Sequence, residues 1–173
     1  MRLPLILTLF VLSALPSHAE DVTPLPQGQA QEARPAPAPQ LMHLERTLMQ
    51  KQEARDKGTL PPEKYQEFVA QFRAELDAVM GRIRPTPEDK GLHAQILARL
   101  GEHERGQAVA SLDQALVGDP ENPALLVAKG SILHEQKDYP AAAALAQQAW
   151  EASGRTDKRA WALLKMSEGR TVG

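Results

Sequence analysis

The chain has 173 residues and a formal net charge of −2, from 20 Lys and Arg against 22 Asp and Glu. That length suits one compact domain with tails, and a balanced charge without Lys/Arg clusters set among aromatics excludes a nucleic-acid surface. There is no Cys, which removes thiol catalysis, disulfides, thiolate metal sites and lipidated cysteine; with aromatics at 4 %, the core must be mostly Leu, Ala, Val and Ile.

Residues 1–19 read MRLPLILTLFVLSALPSHA. Arg2, an apolar run from Leu3 to Leu15, and the small residues Ser17 and Ala19 form a secretory signal pattern, with cleavage expected after Ala19. The run is shorter than the roughly 20 apolar residues of a spanning helix, so no stable membrane insertion is expected after cleavage. Loss of Arg2 takes the charge from −2 to −3. A periplasmic or secreted location follows. Residues 20–40 are rich in Pro and Ala and include RPAPAP. Their prolines deny a helix or a sheet ladder and favour an extended spacer.

From residue 41 onward the pattern is helical. Leu41, Leu44 and Leu48 share one face of a first helix that Gly58 stops. Pro61 and Pro62 open a second, whose Tyr65, Phe68, Val69, Phe72, Leu76, Val79, Met80 and Ile83 recur at helical spacing. Residues 41–84 are therefore read as an antiparallel hairpin, with self-association through a short coiled coil as the alternative. Thr86 caps a third helix with Pro87 at its first position, closed by Gly101. A fourth carries Ala108, Leu112, Ala115 and Leu116 and ends before Gly118. Asn122 caps a fifth, with Pro123 first. A sixth runs from about Pro140 to Ala152, Gly154 stops it, and Thr156 caps a last helix bearing Trp161, Leu164 and Met166. Helices joined by short turns make the chain all-α.

The fifth and sixth helices raise a packing question. Gly130 sits inside a helix, at a cost of about 1 kcal/mol against Ala, and alanines fill the sixth where large residues would be usual. Small residues at facing positions let two helices approach closely. Gly130 and Ala142 are expected to meet near the tight end of the hairpin, and Ala146 and Ala149 to face other neighbours.

The stretch NPALLVAKGSILHEQKDYPAAAALAQQAWEASG resembles a tetratricopeptide repeat, a helix-turn-helix unit of about 34 residues. Gly130 falls on the family's glycine of the first helix, Tyr139 on its turn tyrosine, and Ala142 and Ala149 on its small positions in the second helix. A weaker unit precedes it and keeps Ala108, Ala115 and Pro120. The resemblance covers roughly residues 88–168, with the last helix as a cap. Leu126, Lys129, Ala146 and Gly154 depart from the family's usual residues. The resemblance implies a right-handed superhelical array of antiparallel helix pairs over residues 85–169, preceded by the hairpin.

No catalytic constellation is evident. His43, His93, His103 and His134 have no i,i+4 pairing and no HExxH motif occurs. Ser131 and His134 are one turn apart but lack an acid partner. Glu102, His103 and Glu104 read as a solvated turn. The chain is expected to be non-enzymatic, without cofactor or metal. By the resemblance, the first helices of successive repeats line an inner face, which would carry Ala124, Val127, Ser131, His134 and Glu135, with Gln95 and Arg99 from the weaker unit. The spacing of Val127, Ser131, His134 and Glu135 by itself puts them on one helix face. Two functions follow: an exported adaptor gripping a peptide or helix of a protein partner there, or a structural part that oligomerises through residues 41–84. Exposure of the Tyr65, Phe68 and Phe72 row would favour the second.

Overall fold

The computed structural model describes residues 36–171; the expected export signal and most of the Pro/Ala-rich segment lie outside the described residues. Seven helices follow: α1 (Pro39–Asp56), α2 (Pro62–Arg82), α3 (Pro87–Ala98), α4 (Glu102–Gly118), α5 (Pro123–Glu135), α6 (Tyr139–Ala152) and α7 (Lys158–Thr171). The described residues contain no strand, and none of these helices is long and apolar enough to cross a membrane.

Local chemistry sets most boundaries. Pro39, Pro62, Pro87 and Pro123 each occupy a first helical position, where the missing N–H costs nothing. Helix α1 thus begins inside the segment read as a spacer, because a proline that interrupts a helix can still start one. Thr86 and Asp89 form a full capping box on α3, and Asn122 accepts the N–H groups of Ala124 and Leu125 on α5. Gly58 and Gly154 take the left-handed turn after α1 and α6, at φ 69° and 64°. One cap differs from expectation. The Thr156 hydroxyl donates to Ser153 O at 2.7 Å, while buried Asp157 accepts the Arg159 N–H at 3.0 Å and caps α7. The carboxylate sits one residue nearer the helix, where it reaches the free donors of the first turn.

Specific contacts give the helix directions. Arg55 lies over the Tyr65 ring at 4.7 Å and Lys51 over Phe68 at 5.8 Å, so α1 and α2 run antiparallel. Trp150 stacks on Trp161 with ring centres 5.3 Å apart, while Ala146 packs near Leu163 and Leu164, so α6 and α7 do likewise. Alternate helices are parallel: Gly91 meets Ala124 and Ala128, and Arg99 meets Glu135. Likewise His134 meets Ser167, four residues on from Leu163, which meets Gly130, itself four residues before His134. The odd-numbered helices α1, α3, α5 and α7 therefore form a side-by-side row, each touching the next.

The core is spread along this row. One apolar cluster joins α1 to α5 through Leu41, Leu48, Phe72, Leu76, Ile96, Leu112 and Ile132. A second joins α5, α6 and α7 through Leu126, Val127, Ala149 and Ala160, and a third joins α6 and α7 through Ala146, Leu163 and Leu164. The aromatic row of α2 is turned inward: Phe72, 2 % exposed, belongs to the first cluster, Tyr65 is 8 % exposed, and Phe68 packs half-buried between their rings.

Candidate binding groove

The groove exists because two glycines let parallel helices close up. A Cβ on Gly91 of α3 would stand 3.2 Å from Ala128 Cβ and 3.3 Å from Ala124 O. A Cβ on Gly130 of α5 would stand 2.9 Å from Leu163 Cδ2, 3.4 Å from Ala142 O and 3.5 Å from Leu145 Cβ. Three helices so close bring their outward side chains around two hollows that share Gln95, Ser131, Leu163 and Met166. One, of about 360 Å³, is bounded also by Glu88, Val127 and Arg159. The other, of about 220 Å³, adds Arg99, His134 and Glu135.

All seven residues expected on the inner face line these hollows, but they are not equivalent. Val127 is 6 % exposed and packs with Leu126, Ala149 and Ala160. It forms floor, not an accessible contact, because α7 covers the side of α5 that a single-helix reading leaves open. Ser131 Oγ donates to Val127 O at 2.9 Å, so its lone pairs are what remain for a ligand. His134 Nδ1 lies 2.9 Å from Ser167 Oγ, and its ring meets Tyr139 edge-on at 5.1 Å. His134 and Ser131 therefore do not pair with each other, and the turn tyrosine braces the histidine.

Arg99 is the groove's hub. Its guanidinium reaches Glu45 of α1 at 3.4 Å and Glu135 of α5 at 3.6 Å, and its carbonyl accepts Gln52 Nε2 at 3.1 Å. Ion pairs this open contribute about 0–1 kcal/mol each; their effect is to orient a cation with more donors than they use. Glu45 and Gln52 share a face of α1 with Met42 and Met49, which are 42 % and 52 % exposed. Met166, 54 % exposed, stands on the opposite side in α7. The surface is thus a charged centre flanked by exposed thioethers, side chains that adapt to varied partners.

Beside the groove, Asp89 is 4 % exposed. Burial raises its pKa, but hydrogen bonds from the Ala38 N–H and from the Thr86 N–H and hydroxyl outweigh that and hold it below the ordinary 3.8. His93 on α3 is pushed below 6.5 by burial, with the charge of Asp77 opposing the shift. A larger hollow of about 480 Å³ opens between α1 and α2, beside His43, Glu75 and Arg82. Only one helix pair supplies it, whereas three helices converge on the groove. Among the described residues, no group of three or more His, Asp or Glu is placed to hold a metal ion.

In comparisons with known proteins, no family model, no curated protein and no solved structure matches the chain. Of the small residues that the resemblance singles out, Ala108, Ala142 and Ala149 are fully buried and Ala115 is half-buried. Sequence reasoning missed Gly91, Glu45 and the α7 wall. Gly91 carried the same signal as Gly130, a glycine within a helix, with Ala124 and Ala128 one turn apart on the helix it meets. Glu45 carried none, since its partner is 54 residues away.

Proposed function

We propose that the chain is an exported, non-catalytic protein-interaction module of the tetratricopeptide-repeat type, which grips a peptide or helix of a partner protein in the α3/α5/α7 groove. One observation carries this reading: Gln95, Arg99, Ser131, His134 and Glu135 converge with Leu163 and Met166 on one concave surface. The neighbour-by-neighbour helix contacts suit a right-handed superhelix. The groove mixes an apolar floor with satisfied but accessible polar groups, the make-up of a modest peptide interface. The hairpin's aromatic row lies in the chain's own core, which favours the adaptor over self-association through residues 41–84.

A photo-crosslinking residue at Met166 in the groove, and at Val117, 85 % exposed on α4, tests this in envelope extract. A protein partner should be captured at Met166 and not at Val117. Combined Met166→Glu and Glu135→Lys should then weaken that partner at least tenfold, or about 1.4 kcal/mol, with the melting midpoint kept. Capture at Val117 alone, or unchanged affinity in the double variant, would mean that another surface binds.

A further inference from the structure

Immediately before α1, the chain passes along the edge of the groove. Pro37 lines the hollow of about 360 Å³ together with Gly91, Val127, Leu163 and Met166. Ala38, at φ −52° and ψ 134°, has polyproline II geometry. Its N–H donates to Asp89 Oδ1 at 2.6 Å, while Asp89 Oδ2 holds the N–H and hydroxyl of Thr86, each at 2.9 Å. A buried carboxylate locked in a helix cap is a strong, directional anchor. It ties the residues ahead of α1 to the mouth of the groove, 51 positions away in sequence.

The chemistry of such a strand matches the hollow that Pro37 borders. A polyproline II segment makes no internal hydrogen bonds, so its carbonyls need outside donors, and its Pro and Ala side chains need shallow apolar seats. Gln95 and Arg159 border the hollow as donors. Leu163 and Met166 border it as apolar, adaptable walls.

We propose that Ala36–Ala38 is a built-in occupant of the groove, a strap latched by Asp89, and that the external ligand is an extended Pro/Ala segment of a partner protein which displaces it. This rests on the groove being the binding surface. A short tether presents its occupant at an effective concentration of about millimolar, so the strap lowers the apparent affinity of any competitor by the fraction of time it is seated.

The chain has no Cys, so Ala36→Cys, at an exposed position, accepts a single nitroxide on the full chain. With methyl-labelled methionine, the Met166 signal should be broadened by the oxidised label and restored by the synthetic peptide Arg-Pro-Ala-Pro-Ala-Pro. Without the label, Pro37→Gly should bind that peptide about fivefold tighter than the parent chain, since the tethered competitor is weakened. An unbroadened Met166 signal, broadening that persists at several times about millimolar peptide, or unchanged affinity in Pro37→Gly would each overturn the strap. Capture of a partner at Met166 would survive those results, so the strap and the groove fail separately.

Discussion

The glycines of this array differ in what a single methyl group would meet, and that difference predicts an order of stabilities. Replacing Gly by Ala inside a helix gains about 1 kcal/mol where space is free. At Gly106 of α4 nothing lies within 4 Å of the added Cβ, so Gly106→Ala should realise the gain and raise the midpoint by about 4 °C. At Gly130 the first obstacle, at 2.9 Å, is the far end of the Leu163 side chain, and the backbone atom Ala142 O lies at 3.4 Å. Leu163 borders a hollow and can rotate toward it, so strain and gain nearly cancel and Gly130→Ala should stay within about 0.5 kcal/mol of the parent. At Gly91 the obstacles are Ala128 Cβ at 3.2 Å and Ala124 O at 3.3 Å. Neither can turn aside, so α3 and α5 must part by a few tenths of an ångström. Overpacking of this kind costs about 1–3 kcal/mol, which makes Gly91→Ala net destabilising by up to about 2 kcal/mol, or about 8 °C. Gly130→Leu, with three further carbons in the same space, should lose about 1–3 kcal/mol. Thermal and urea unfolding followed by circular dichroism at 222 nm measure all four variants. A Gly91→Ala chain as stable as Gly106→Ala would refute the close approach of α3 and α5, and an unchanged midpoint in Gly130→Leu would refute the packing of α5 on α6 and α7.

Acid stability should divide between two groups. Asp89 has a lowered folded pKa, so its contribution is present above the unfolded value near 3.8 and is lost as pH falls through the folded one. Asp89→Asn should cost about 1–3 kcal/mol at neutral pH and flatten the stability profile below about pH 4; a parallel profile would exclude the carboxylate as its cause. His93 also has a lowered folded pKa, so stability is complete above about pH 6.5 and declines as pH falls through the window beneath it. His93→Leu should remove that decline in urea titrations at pH 5 and 7, and a slope unchanged from the parent would exclude His93. Lys137 holds φ 66° in the turn between α5 and α6, where a β-carbon is strained by about 1 kcal/mol or more; Lys137→Gly should raise the melting midpoint by about 4 °C, and a fall would mean the turn is unstrained.

What was legible in the sequence follows from local physics. Prolines at first positions, Thr86 and Asn122 as caps, and apolar residues at helical spacing set every helix to within a few residues, because capping and amphipathicity act within one or two turns of chain. The Gly130–Ala142 contact was legible for a related reason: it lies within one hairpin, where a short turn leaves little freedom in how the helices meet. The exceptions are also local. Pro39 starts a helix that its neighbours argued against, and Asp157, not Thr156, caps α7.

Relations between helices distant in the chain were decided only by the tertiary structure. Val127 reads as an accessible contact on α5 alone, yet α7 buries it. Gly91 reads as a mild helix weakness until Ala128 comes within reach. Arg99 gains Glu45 and Glu135 from two other helices, and Pro37 borders the groove beside an N–H that Asp89, 51 positions on from Ala38, accepts. Helix periodicity says which face of a helix is apolar. It does not say which helix will cover that face, since the apolar transfer free energy is nearly the same for any partner and depends on area rather than identity. The choice among partners is made by close packing of all seven helices at once, where a methyl group placed a few tenths of an ångström too near outweighs any local preference.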